Sequence, residues 1–274
     1  MTVDSSAQRY GDVLFSSGCD SERERLGGLA GALDPISRDV LSGLGVACGW
    51  CCLDIGAGTG TLSHWLTRQA GARVTAVDRD TAFLKGIPGE LDVLQADITD
   101  PGFRPGQFDL VHARLVLMHV HEREDLLPRM FSWLKPGALL VLSDAVMLPE
   151  TQFLHPHYRE AVTGHYRMMA EVIGSDLRFA HRYPQMFADM GLTAIGSHTY
   201  RPVVGVDHGF TEFVEGTLRQ SRDFLLTHGM QPGAMDEALA HVRRPDTREP
   251  FFEVRTTWGR KPPASPQGRH LDHS

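Results

Sequence analysis

Three aspartates and three glycines carry the densest chemistry in this sequence. The run Leu53-Asp54-Ile55-Gly56-Ala57-Gly58-Thr59-Gly60 sets glycines at alternate positions just after an acid, and Asp78 and Asp97 close two further apolar runs. Glycine has no Cβ and tolerates positive φ, so a ligand can lie directly on the backbone N–H groups that open the next helix. An acid at a neighbouring strand tip can accept both hydroxyls of a ribose. On this pattern Asp78 takes the ribose, Asp97 accepts from the exocyclic amine of a base, and Ile98 packs on the ring. The ligand expected is a nucleoside.

The histidines supply candidate bases. Where a hydroxyl or an ammonium must lose a proton near neutral pH, imidazole is the side chain suited to take it. Of 14 histidines, His119 follows the fourth expected strand, His157 opens the segment after the fifth, and His165 lies on one face of that segment's helix. His119-Val-His121 and His155-Pro-His157 could each put two imidazoles on one side of an extended strand, but no carboxylate cluster accompanies either pair, and no metal is expected. Cys48-Gly-Trp-Cys51 has half the spacing of a zinc site without a second half, so its thiols are read as buried.

The dinucleotide fingerprint G-x-G-x-x-G also follows a first strand. Here Thr61 stands where that pattern needs its third glycine, and Asp54 would repel a pyrophosphate. Both residues disfavour a nicotinamide oxidoreductase.

Strands and helices must alternate to bring these tips together. Asp34-Pro35 reads as a helix start, with Asp as N-cap and Pro in the first turn, followed by an apolar face at Ile36, Val40, Leu41 and Leu44. Leu62, Trp65 and Leu66 form a helical stripe, and 72–77 is a β-branched run ending at Asp78. Further strands are expected at 92–96, 108–113, 138–143, 194–200 and 251–258, with helices at 149–182, 183–191, 210–228 and 232–242. Strands this apolar belong in a parallel sheet covered on both faces by right-handed crossovers. The fold class expected is α/β: a doubly wound, seven-stranded, mostly parallel sheet with helical cap insertions.

The organisation expected is an N-terminal lid over 1–34, a catalytic domain over 35–261 with caps near 149–182 and 204–249, and a disordered tail over 262–274. Within the lid, residues 10–15 form an apolar patch ahead of a charged helical stretch from 20 to 33.

The glycine run resembles the motif D/E-x-G-x-G-x-G of class I S-adenosylmethionine-dependent methyltransferases, and Leu134-Lys-Pro-Gly137 resembles the turn before their fifth strand. The resemblance is to the small-molecule branch, near ubiquinone biosynthesis and natural-product enzymes, and spans roughly 34–144. It implies S-adenosylmethionine as cofactor, S-adenosylhomocysteine as product, and Asp54, Gly56, Ala57, Gly58, Gly60, Asp78, Arg79, Asp97 and Ile98 as its contacts. The family's use of residues after strand four implies that Arg114 lines the methionine moiety, and its closing N-terminal aromatic falls on Tyr10. The carboxylate of Asp54 would also draw the ammonium and sulfonium. Methyl transfer is an in-line displacement at an activated carbon, so alignment and exclusion of water matter more than a base. Phe15, Tyr158 and Tyr166 are the expected acceptor contacts, for a flat apolar or aromatic molecule methylated on O, N or C, an indole-like ring among the options.

Composition narrows the partner. A formal charge of −7 and a pI near 6.0 give no electrostatic footprint for a polyanion, so nucleic acid and anionic membrane are not expected. No apolar run approaches the roughly 20 residues that span a bilayer, which makes the expected location cytoplasmic and the expected partner a small molecule; a homodimer stays open. The rival readings are a protein or nucleic-acid methyltransferase, disfavoured by the absence of an Asn/Asp-Pro-Pro-Tyr/Phe motif and by the acidic charge, and a scaffold that kept the cofactor fold without activity.

Overall fold

The computed structural model describes residues 20–84 and 91–264. Its elements are α1 (Asp20–Gly43), β1 (Cys51–Ile55), α2 (Thr61–Arg68), β2 (Arg73–Asp78), β3 (Leu91–Gln95), β4 (Phe108–Arg114), α3 (Arg123–Ser132), β5 (Leu134–Val146), α4 (Pro156–Val172), α5 (Tyr183–Asp189), β6 (Thr193–Tyr200), β7 (Val203–Val204), α6 (His208–Thr227), α7 (Pro232–Val242), β8 (Glu249–Pro250) and β9 (Glu253–Arg260). Seven strands form one sheet in the order β3-β2-β1-β4-β5-β9-β6. The first five run parallel, and β9 is antiparallel to both β5 and β6. The strand order reverses beside β1, where ligands of doubly wound sheets bind beyond the carboxyl ends.

The central strands are apolar because both faces are covered. Adjacent Cys51 and Cys52 point into different cores, Cys51 toward Leu53, Val111 and Leu140 and Cys52 toward Leu62, Leu66 and Val74. That is the alternation a strand imposes. Cys48, expected buried, is exposed. A third core joins α1, α4, α6 and α7 above the sheet's carboxyl edge, with Phe210, Phe213, Phe251 and Tyr158 at its centre.

The largest departure from the sequence reading is α1. Residues 20–43 form a single helix with Pro35 inside it, not two helices divided at Asp34. Asp34 does not cap a helix; its carboxylate accepts from Arg114 Nη2 at 2.7 Å and from Arg38 Nη2 at 3.1 Å. A tertiary ion pair has taken the acid that local propensity would spend on a cap. The first half of α1 lies so close on α6 that a Cβ at Gly28 would sit 2.3 Å from the carbonyl oxygen of Gly209. Only glycine permits that crossing. The short ribbon β7-β8 was not expected, and β5 starts four residues earlier than the sequence suggested, at Leu134.

Candidate functional site

The glycine turn is held from below by β2 and β4. Gly56 N and Ala57 N donate to Val77 O at 2.8 and 3.2 Å. Asp54, in register with His112, accepts from Ser63 Oγ at 2.5 Å and lies 2.8 Å from His112 Nδ1. Burial alone would raise the pKa of this carboxyl, but the hydrogen bonds from His112 and Ser63 outweigh it and hold the group below the ordinary value. Both oxygens of Asp54 are therefore used inside the protein, fixing the turn to its helix and to β4.

Gly56 and Gly58 have φ of +64° and +54°. A Cβ at Gly56 would fall 2.3 Å from Val116 Cγ2, while at Gly58 the nearest atom would be 3.9 Å away. The second glycine thus opens onto space. Gly58 N donates to Asp78 Oδ2 at 2.9 Å and Asp80 N to Oδ1 at 3.1 Å. Burial raises the Asp78 pKa, opposed by these backbone donors. Asp97 Oδ1 accepts from Thr99 N at 2.9 Å and Thr99 Oγ1 at 2.6 Å, which fixes the loop that carries Ile98.

Arg114, at the tip of β4, donates to Asp34 and, at 2.9 Å, to Ser37 Oγ, and so ties α1 to the sheet. Leu115 follows with φ +58°, an uncommon conformation for a leucine. Its N–H is held by Ser143 O at 2.7 Å. Behind the turn, Asp144 Oδ2 accepts from Met118 N at 3.1 Å and from the Tyr183 hydroxyl.

These groups surround one cavity of about 510 Å³. One lobe is lined by the glycine turn, Asp78, Arg79, Asp97 and Ile98; Arg114, Leu115, Val116 and Met118 form the waist. The other lobe is a chamber under α1, α4 and α6, walled by Tyr166, Met169, Phe213, Phe251 and Phe252, with Arg25, His119, His165 and Thr217 as its polar groups. His119 Nδ1 lies 2.8 Å from Ser175 Oγ, and His165 Nδ1 lies 2.9 Å from Ser221 Oγ. Burial, then the positive charge of Arg123 and Arg25, lowers the His119 pKa to about 3. Burial and Arg25 bring His165 to about 3 as well. Both imidazoles are neutral at physiological pH.

Not every expected residue reaches the cavity. Gly60 is the left-handed N-cap of α2 (φ 71°) and not part of the cavity wall. His157, expected as a candidate base, is half-exposed beside Glu160 and Glu237 and is not part of the chamber wall. Tyr158 is fully buried away from the cavity, with its hydroxyl donating to Pro250 O at 2.9 Å. It shares a face with His165, but two helical turns, about 10 Å of rise, carry it past the chamber. Tyr166 does line the cavity, yet its hydroxyl donates to Phe251 O, so it serves as a wall. Tyr10 and Phe15 lie outside the described residues.

Sequence reasoning missed Glu22, Arg25, Thr217, Ser221 and Asp144. Arg25 binds Glu22 through two nitrogens, at 2.8 and 2.6 Å, and donates to Thr217 Oγ1 at 3.0 Å. Its i,i+3 spacing from Glu22 was visible, but a charged helix gives no sign of which pair will be buried. Among the described residues no group of three or more metal-ligating side chains is placed to hold an ion, and no helix is long and apolar enough to cross a membrane.

Residues 53–142 match the family model of a methyltransferase domain. The chain carries a class I methyltransferase domain. Trans-aconitate 2-methyltransferase of Paracidovorax citrulli is 35% identical over 105 residues, 36% of this chain and 39% of that protein. Methyltransferase str3 of Strobilurus tenacellus is 31% identical over 121 residues, 43% and 44% of the two chains, and phosphoethanolamine N-methyltransferase 1 of Arabidopsis thaliana is 23% identical over 150 residues, 52% and 28%. This chain spans less than half the length of these three relatives. A solved structure of Haemonchus contortus phosphoethanolamine N-methyltransferase 2, with phosphomonomethylethanolamine and S-adenosylhomocysteine, superposes with a TM-score of 0.55 at 18% identity, covering 83% of this chain and 53% of that one. That likeness places the sheet and helices of the methyltransferase domain in a known fold.

Proposed function

We propose that this protein transfers a methyl group from S-adenosylmethionine to a small secondary metabolite with a flat, apolar body, in the cytoplasm. The observation that carries the reading is that one cavity is lined both by the glycine turn with Asp78 and by the aromatic rings of the chamber, with the waist between them.

The residues present suit the cofactor. The space above Gly58 is what a Cβ would fill, Asp78 and Asp97 offer carboxylate oxygens at two strand tips, and Ile98 is an apolar surface beside them. Asp78 would hold the ribose, Asp97 and Ile98 the adenine, and the waist at Arg114 to Met118 the methionine portion. When bound, the cofactor supplies a methyl carbon activated by its sulfonium. The chain's contribution is to orient the acceptor from the chamber, to fix the waist through Arg114–Asp34 and Asp144–Met118, and to exclude water with α1, α4 and α6.

A thermal-shift comparison tests this reading. S-adenosylhomocysteine at 100 times its dissociation constant should stabilise the protein by about 2.7 kcal/mol, and NADH should not. The reverse order would favour the oxidoreductase reading, and a protein-peptide or nucleic-acid acceptor would be favoured only by transfer to those substrates.

A further inference from the structure

We infer that His112 is a cofactor-binding residue: Asp54 fixes its imidazole with the proton on Nδ1, and Nε2 accepts a hydrogen bond from the ammonium at the amino-acid end of S-adenosylmethionine. This rests on the methyl-transfer reading above and assigns a contact within the same cavity.

The register of the sheet makes the pair. β1 and β4 run parallel with Asp54 opposite His112, and the two side chains meet: Nδ1 of the ring lies 2.8 Å from Asp54 Oδ1. His112 is 1% exposed and Asp54 3%. The hydrogen bonds from His112 and Ser63 hold the Asp54 carboxyl below its ordinary pKa, so it is ionised at neutral pH and can only accept. The proton of the His112–Asp54 bond is therefore on Nδ1, and the lone pair of the neutral ring is on Nε2.

Nε2 is the atom left for a ligand. It makes no hydrogen bond among the described residues. Nor is it one of the buried side-chain nitrogens and oxygens that lack a partner. It is thus open to space, and the space that His112 borders is the cavity, whose wall also includes Asp54, Gly56, Leu62 and Arg114. Asp54 has both oxygens engaged, by His112 and by Ser63. The acid of the glycine motif therefore acts on the ligand through the ring, and its charge strengthens Nε2 as an acceptor.

The strand order says which part of the ligand this atom meets. β4 lies on the opposite side of β1 from β2, and β2 carries Asp78, to which the ribose is assigned. The residues that follow His112 along β4, from Arg114 onward, form the waist assigned to the methionine portion. At that end of the cofactor the ammonium is a group of donors without an acceptor, and a lone pair backed by a carboxylate is its complement.

Three ligands separate the contacts: S-adenosylhomocysteine, its decarboxylated analogue, which keeps the amine, and 5′-methylthioadenosine, which lacks the amino-acid end. Each is titrated calorimetrically into the parent and into His112→Asn, whose shorter amide can still donate to Asp54 but leaves nothing at Nε2. The first two ligands should bind about tenfold more weakly or worse in the variant, and 5′-methylthioadenosine should stay within about twofold. Equal weakening of all three would make His112 a purely structural residue, weakening of S-adenosylhomocysteine alone would put the ring on the carboxylate, and no weakening would leave it without a contact; each result overturns the assignment. The parent protein gives a second readout that does not depend on the variant folding. In the complex with S-adenosylhomocysteine, the nitrogen-15 spectrum of the ring should show a proton on Nδ1 and none on Nε2, whereas a proton on Nε2 would overturn the assignment. Failure of S-adenosylhomocysteine to bind the parent would instead remove the methyl-transfer reading.

Discussion

Asp144 Oδ2 accepts the backbone N–H of Met118 at 3.1 Å from the far side of the waist, and the Tyr183 hydroxyl donates to the same oxygen. The other oxygen, Oδ1, is buried without a hydrogen-bond partner among the described residues. A strand-end acid thus caps, from β5, the turn that presents Leu115, Val116 and Met118 to the cavity.

This arrangement predicts a pH signature. Burial raises the Asp144 pKa from the ordinary 3.8 to about 7, against the hydrogen bonds from Tyr183 and Met118. The folded state therefore holds this proton more tightly than the unfolded one, so the contribution to stability is complete below 3.8 and is lost as pH rises through about 7. Asp144→Asn removes the titration while keeping an acceptor for Met118. Its urea midpoint, compared with the parent's, should improve as pH is raised from about 5 to about 8. A difference between the two proteins that stays constant with pH would show that Asp144 does not titrate there.

The glycine turn predicts two different failures. Gly58→Val should abolish S-adenosylhomocysteine binding, because the side chain enters open cavity, and it should also strain the turn, because a β-branched residue is poorly accommodated at φ +54°. Gly56→Ala should instead disturb the waist, since its Cβ would fall 2.3 Å from Val116 Cγ2. Circular dichroism with calorimetry separates the two: binding lost outright with melting lowered only by the local strain for the first, and lowered melting with binding weakened but measurable for the second.

Tyr158→Phe should act on stability alone. The buried hydroxyl donates to the partly exposed Pro250 O, and losing this hydrogen bond should cost about 0.5 to 1.5 kcal/mol. Acceptor KM and cofactor affinity should match the parent. A raised KM with unchanged melting would return Tyr158 to the acceptor site.

The sheet and the lobe above Gly58 were legible in the sequence because each strand tip carries its own signature: Asp54 before the glycines, Asp78 closing a β-branched run, and Asp97 just beyond the third strand. Those residues act where the chain puts them, within a few positions of the motif that reveals them. The chamber was much less legible. Of the candidates in the segment after strand five, His165 and Tyr166 line it, whereas Tyr158 and His157 do not; helical periodicity put Tyr158 on the face of His165, but a shared face says nothing of how far along the helix the cavity extends. Arg25, Ser221 and Asp144 act across contacts with partners 26 to 192 positions away in sequence, and no local pattern announces them. Pro35 misled for the opposite reason: the local rule for a helix start was satisfied, but Asp34 is drawn to Arg114, 80 residues on, and the helix continues.

If the lobe above Gly58 holds S-adenosylmethionine with its ribose on Asp78, removing that one carboxylate must be felt by the ligand. Calorimetric titration of S-adenosylhomocysteine into the parent and Asp78→Ala reads this out. Two hydrogen bonds to a charged acceptor, each about 1.5 to 3 kcal/mol, should weaken binding about 100-fold or more in the variant while circular dichroism stays native. Equal affinity in the two proteins, or no binding to the parent, would contradict the assignment of this lobe to the cofactor.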